Sequence, residues 1–171
     1  VTDLSRVFRA HGFDGATLTK LVEETGLERA SLYHHFPNGK ADMAEAVLLQ
    51  ALLDLEADVI NFLKEEGDAK AKLKRMFNAV EAFYNNGNDV CFITIFSLGH
   101  QSKKIDEMMS GAIRTWLKYL EKTLADSKVD DPKKSAQQLL STIQGGLILA
   151  RTLNDPSVFR NSLKPLRVAW L

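Results

Sequence analysis

Between Thr17 and Phe36 the chain carries Thr17, Thr19, Arg29, Ser31, Tyr33 and His34 at helical spacings. These are hydroxyls, a guanidinium, a phenol and an imidazole, the groups that hydrogen-bond phosphate oxygens and base edges. The chain contains no nucleophile–base–orienter set, phosphate loop, CxxC or HExxH. The chemistry on offer is recognition, not bond making.

Such groups act together only if short rigid elements hold them. Thr17 can cap a short helix carrying Leu18, Leu21 and Val22, which stops at Gly26. A second short helix runs from about Glu28 to His35 and is halted by Phe36-Pro37. With the tight turn Glu24-Thr25-Gly26-Leu27 between them, the pair describes a helix-turn-helix. Gly26 suits a left-handed turn position, where a Cβ is strained. Leu21, Val22, Leu27, Leu32 and Phe36 supply the apolar side that locks the two helices. The remaining face carries Arg29, Ser31, Tyr33 and His34, and Thr17 and Thr19 offer hydroxyls and free backbone N–H groups to a phosphate. Core packing is the competing reading for the run Tyr33 to Phe36. It holds in part for His35 and Phe36, whereas the completeness of the motif favours DNA contact for Tyr33 and His34. Adjacent histidines point about 100° apart on a helix, so His34 and His35 do not make a metal site. Glu28 either accepts from a cytosine amino group or is a solvated helix-start charge, and the sequence leaves both open.

The rest of the chain is also helical in period, with no sustained alternation of period two. Leu4, Val7 and Phe8 mark a first helix ending at His11-Gly12, and Asn38 is expected to cap a long helix reaching Gly67. Asp68 opens a segment to about Asn85, Cys91 to Gly99 forms a short apolar helix, and Ser102 opens a long one to Leu124. Asp131-Pro132 and Asp155-Pro156 are twin cap-plus-proline helix starts, the second helix carrying a kink at Pro165. The fold class is all-α.

The 171 residues fit one domain or a small module at roughly 150 residues per domain. Twenty-two basic residues balance 22 acidic ones, which excludes a globally basic nucleic-acid coat or a polybasic membrane binder. From Val1 to Lys40 five bases also meet five acids, so affinity for DNA must come from a local constellation. No apolar run approaches a membrane span, and the single Cys91 makes no internal disulfide and reads as a buried thiol. The chain reads as a soluble cytoplasmic protein. It starts almost inside a helix and without Met, so residues are expected upstream of Val1.

The run FRAHGFDGATLTKLVEETGLERASLYHHFPNGKADM closely resembles the DNA-binding domain of the TetR family of bacterial transcriptional regulators. The matching pieces are the helix end F-x-x-x-G-F, the T-x-x-x-L-x-x-x-T-G-L turn, and L-Y-H-H-F-P followed by a lysine that opens a long helix. The resemblance covers about the first quarter of the chain. It implies phosphate or base contact for Thr17, Arg29, Ser31, Tyr33, His34 and Lys40. Ala30 stands where the family often has glycine, which alters one close backbone approach, and the Pro37-Asn38-Gly39-Lys40 link is one residue longer than the commonest spacing. The architecture implied is an N-terminal three-helix reader, residues 1–45, joined by a long helix to a helical ligand-binding and dimerisation body, residues 46–171.

In that body, Phe77, Phe92, Phe96, His100, Met109, Ile113, Trp116 and Gln144 are candidates for an effector pocket, with a close-packed core the competing and more economical reading for each. Gly145-Gly146 inside a helix marks either a close helix approach or a kink. Leu140, Ile143, Leu147, Ile148, Val158, Leu163 and Leu166 form the candidate dimer face on the last two helices. The implied function is a ligand-responsive repressor that binds a palindromic DNA operator as a homodimer, with no cofactor, metal or membrane. A helical interaction adaptor and, more remotely, an all-helical enzyme are the alternatives.

Overall fold

The structure, a computed structural model, describes residues 1–97 and 102–171. Among the described residues every regular element is helical. In chain order these are α1 (Thr2–Gly15), α2 (Leu18–Thr25), α3 (Arg29–His35) and α4 (Lys40–Leu55). The last continues through a π turn (Glu56–Ile60) into α5 (Asn61–Lys64). There follow α6 (Ala69–Phe83), a 3-10 turn (Asn85–Gly87), α7 (Phe92–Phe96), α8 (Lys103–Asp126), α9 (Pro132–Leu153) and α10 (Ser157–Trp170). No helix among them is long and apolar enough to cross a membrane.

The chain divides into two compact units. One is Val1–Leu53 with Phe92–Met109, and the other is Asp54–Cys91 with Ser110–Leu171. The first is larger than the 1–45 reader, because a segment forty residues downstream completes its core. Leu4, Val7, Phe8, Leu21, Leu32, Met43, Val47 and Leu48 are buried together with Phe92, Phe96, Ile105 and Met109. The Phe96 ring meets Phe8 edge-on at 5.6 Å and stacks on Phe92 at 5.9 Å, while the Arg9 guanidinium lies 4.4 Å over the Phe92 ring. Ser102 caps α8 by accepting from Ile105 N–H at 3.3 Å, and its hydroxyl donates to Glu45 of α4 at 3.1 Å. Lys104 bonds the other Glu45 oxygen.

Helix ends follow local chemistry with two departures. Gly12 does break α1, at φ 69° and ψ −177°, but a further turn runs on to Gly15. Asn38 does not cap α4 with a side-chain acceptor. Its backbone N–H donates to Asp42 Oδ2 at 2.9 Å and its amide to Oδ1 at 3.1 Å, so the acceptor comes from inside the first turn.

In the second unit Asp68 accepts from Ala71 N–H at 2.7 Å and Asp131 from Lys134 N–H at 3.3 Å, with Pro132 first in α9. Asp155 accepts from Ser157 N–H at 2.9 Å. Pro165 lies inside α10, which continues to Trp170. The α9–α10 pair buries Leu139, Leu140, Ile143, Leu147, Phe159 and Leu163. It can close so tightly because residue 146 has no side chain. A Cβ there stands 2.5 Å from Ser162 Oγ and 3.2 Å from Phe159 Cδ2, whereas one at Gly145 meets nothing within 4 Å. Of the two explanations for the glycine pair, close approach accounts for Gly146.

Gly146→Ala should therefore destabilise the chain by about 1–3 kcal/mol through overpacking, read as a lower urea midpoint at unchanged m-value. Both hydrogen bonds from Asn38, the backbone one foremost, hold the Asp42 carboxyl below the usual carboxylate range, and those from Ser157 do the same for Asp155. A lowered folded value stabilises above the ordinary Asp value of about 3.9 and is lost as pH falls through the folded value. D42N with D155N keeps acceptors but no charge, so its melting temperature should fall less steeply than that of the unsubstituted chain as the pH drops below about 4.

Candidate nucleic-acid interface

The turn between α2 and α3 is over-determined by short-range bonds. Thr17 accepts from Lys20 N–H at 3.4 Å and starts α2. At the other end, Gly26 takes φ 66° and its N–H donates to Val22 O at 2.9 Å. The Thr25 hydroxyl donates to Leu21 O at 2.7 Å and accepts from Leu27 N–H at 3.3 Å. Leu21 and Leu32 are wholly buried and lock the two helices, with Val22 and Phe36 half-buried beside them. Leu27, expected in that lock, is 42% exposed, because the left-handed residue before it turns the chain outward.

Helix α3 leaves Arg29, Ala30, Tyr33, His34 and His35 exposed and Ser31 half-buried; Thr17 and Thr19 are exposed at the start of α2. His35 is therefore not a core residue, although its ring contacts His34 and Phe36 at 5.5 and 6.5 Å. The longer link before α4 has a structural use that its sequence alone did not disclose. Gly39 adopts φ 68°, its N–H donates to Phe36 O at 2.8 Å, and the Tyr33 ring lies over it, 3.3 Å from where a Cβ would stand. A Cβ there would push the Tyr33 ring aside by a few tenths of an ångström, at a positive φ that glycine adopts freely.

The cations of this unit are mostly spent on holding it together. Arg6 bridges Asp3 at 2.6 Å and Glu24 at 2.7 Å, tying α1 to α2. Lys20 Nζ pairs with His11 Nδ1 at 3.2 Å. Lys40 does not reach outward: its ammonium donates to Phe13 O at 2.9 Å and sits 4.4 Å over the Phe13 ring. Arg29, by contrast, is exposed, and among the described residues no hydrogen bond or ion pair engages it.

The remaining candidates fall in different places. Phe92, Phe96 and Met109 belong to the core of the first unit. In the second, Phe77 is buried with its ring 6.1 Å from Trp170, Ile113 is half-buried, and Trp116 is wholly buried, its indole N–H without a hydrogen-bond partner among the described residues. Gln144 Nε2 donates to Cys91 Sγ at 3.6 Å, and the Tyr84 hydroxyl donates to the same sulfur at 3.4 Å. Nothing local in the sequence links Tyr84 to Cys91. His100 lies outside the described residues. Of the dimer candidates, Leu140, Ile143, Leu147 and Leu163 are buried within their own chain, Val158 and Leu166 are half-buried, and Ile148 is 46% exposed.

Residues 5–47, which contain the helix-turn-helix, match the family described as bacterial regulatory proteins, tetR family. The HTH-type transcriptional regulator YxaF of Bacillus subtilis (strain 168) is 27% identical over 158 residues, spanning 88% of this chain and 82% of YxaF. Among solved structures, a TetR transcriptional regulator from Legionella pneumophila superposes with a TM-score of 0.82 at 20% identity, over 98% of this chain and 93% of that one. A cysteine mutant of the TetR-family regulator CifR, in a structure with 26 bp double-strand operator DNA, gives 0.78 at 18% identity over 99% and 94%. With its helix-turn-helix in this geometry, the chain carries a tetR-family DNA-binding segment at residues 5–47 and is similar over most of its length to transcriptional regulators, so it is a DNA-binding transcriptional regulator.

Proposed function

We propose that two copies of the chain bind an inverted-repeat operator as a repressor, and that a small, largely apolar effector in the helical body releases it. The observation that carries this reading is the face of α3, where Arg29, Ala30, Tyr33 and His34 are exposed together beside a locked turn. Arg29 is the charged contact suited to a guanine edge or a phosphate. Thr17, Thr19 and Ser31 add neutral donors. Lys40 acts in this scheme by fixing the α1–α4 corner unless it exchanges Phe13 O for a phosphate. The likeness to CifR, whose structure includes operator DNA, supports duplex DNA as the partner.

The exposed apolar side chains of the last two helices support self-association. Ile148, Leu149 and Leu153 are 46%, 52% and 63% exposed on α9, and Val168 is 82% exposed on α10. Gly145 lies among them with open space at its Cβ position, so a second backbone can approach there. This moves the dimer surface away from Leu140, Ile143, Leu147 and Leu163 to the outer stripe of the same helix pair. A twofold pairing sets two reading helices about 34–36 Å apart, as successive major grooves on one side of DNA require. An effector that favours a different spacing shifts the population away from the bound form. The unpartnered Trp116 N–H, costly to leave unmade in a core, supports an effector in the second unit.

Genome-fragment selection at moderate salt should retain an inverted repeat with half-sites about one helical turn apart; recovery of no preferred sequence contradicts the reading. Arg29→Ala should weaken operator binding by about 1–3 kcal/mol and relax choice at one base pair. Replacing Ile148 and Leu149 by Asp should give a folded monomer by sedimentation with operator binding lost. A dimer that persists places the interface elsewhere, and a compound that binds without changing operator affinity is not an effector in this sense.

A further inference from the structure

The Glu28 carboxylate stands at the start of the reading helix with nothing to do inside the protein. It occupies the residue before α3, at φ −66° and ψ 153°, where a side chain can accept from the first free N–H groups, yet it makes no such bond. Among the described residues no cation or donor engages it, although Arg29 is its neighbour and it is exposed. Asp3 and Glu24 are engaged by Arg6, Asp42 by Asn38, and Glu45 by Ser102 and Lys104, whereas Asp14 and Glu23 are, among the described residues, as unengaged as Glu28 but lie on α1 and α2, off the reading helix. No other acid lies on α3.

A free carboxylate carried into a major groove meets phosphates on both sides and loses water. Its repulsion weakens binding to every sequence unless a base supplies a donor. Guanine presents N7 and O6 there, and thymine presents O4 and a methyl group; each leaves the carboxylate facing an acceptor or an apolar group. Adenine offers its amino group beside the N7 acceptor. Cytosine offers an amino group with no ring acceptor next to it, and is the base that Glu and Asp read in this groove. We propose that Glu28 is a specificity-determining residue, accepting from a cytosine amino group at one position of each half-site and rejecting guanine and thymine there by repulsion. Arg29, the next residue along, takes a guanine of the same or the adjacent base pair. The inference rests on the operator-binding reading above.

The test is selection from half-sites randomised at every position, using the full chain and its E28A and E28Q variants, each first checked for unchanged helicity and melting temperature. The unsubstituted chain should prefer cytosine at one symmetric position by about 5- to 150-fold, the range one good contact supplies. E28A should lose that preference to within about twofold while keeping the choice at every other position. E28Q should move the preference towards adenine, whose N6 and N7 a carboxamide pairs with. An E28A profile unchanged at all positions, with affinity raised equally for all sequences, means that Glu28 is a solvated charge and overturns the inference while the operator reading stands. An unsubstituted chain that selects no sequence removes both.

Discussion

Phe96 meets Phe8 inside the first unit, and the reading surface depends on that contact because three short helices cannot close a core alone. Helices α1 to α3 bring few large apolar side chains between them, and units this small bury little of the surface their unfolded chain exposes. Met43, Val47 and Leu48 from α4 cover one side, and Phe92, Phe96, Ile105 and Met109 cover another. Truncating a buried aromatic typically costs about 3–5 kcal/mol, a large share of the stability of any single domain. The segment that carries these rings also holds α4 through Glu45, which receives bonds from both Ser102 and Lys104. The reader is therefore built from two separated stretches of chain, and the stability of α3 is linked to residues far along the sequence from it.

The charges tell a related story. A DNA-binding unit with more acids than bases must ration its cations, and here most serve geometry. Arg6 aligns α1 with α2, Lys40 fastens the start of α4 to Phe13 O, and Arg9 covers the Phe92 ring. An exposed ion pair such as Arg6–Glu24 contributes at most about 1 kcal/mol, so the value of these contacts lies in fixing angles between short helices. What faces outward from α3 is one guanidinium amid alanine, tyrosine and imidazole. On the operator-binding reading proposed above, such a surface is suited to matching donors to a particular groove and gains little from general attraction to the polyanion.

The parts of this account that were legible in the sequence are those set by bonds a few residues long. Thr17, Gly26, Asp68 and Asp131 act at helix ends as their types require, since a cap or a left-handed residue is chosen by its immediate neighbours. Leu21 and Leu32 were legible as the lock for the same reason. Long-range choices were not. Phe92 and Phe96 read as pocket candidates, and only the fold assigns them to the reader's core. Lys40 reads as a phosphate ligand until Phe13 O, 27 residues away, is seen to hold it. On α9 two apolar stripes compete, and periodicity alone cannot say that Ile143 and Leu147 turn inward while Ile148 and Leu149 turn out. The glycine pair resolves for the same reason, Gly146 against α10 and Gly145 against nothing among the described residues.

The claim that the reading surface is held in shape by a distant segment is tested most directly by native-state hydrogen exchange on the Phe96→Ala variant. If Phe96 closes the reader's core, amides of α2 and α3 should lose protection together with those of α7, by about the same free energy as the global loss measured in urea. Protection of α2 and α3 that stays at the level of the unsubstituted chain, with loss confined to α7, would contradict the account and make the three N-terminal helices an independent domain.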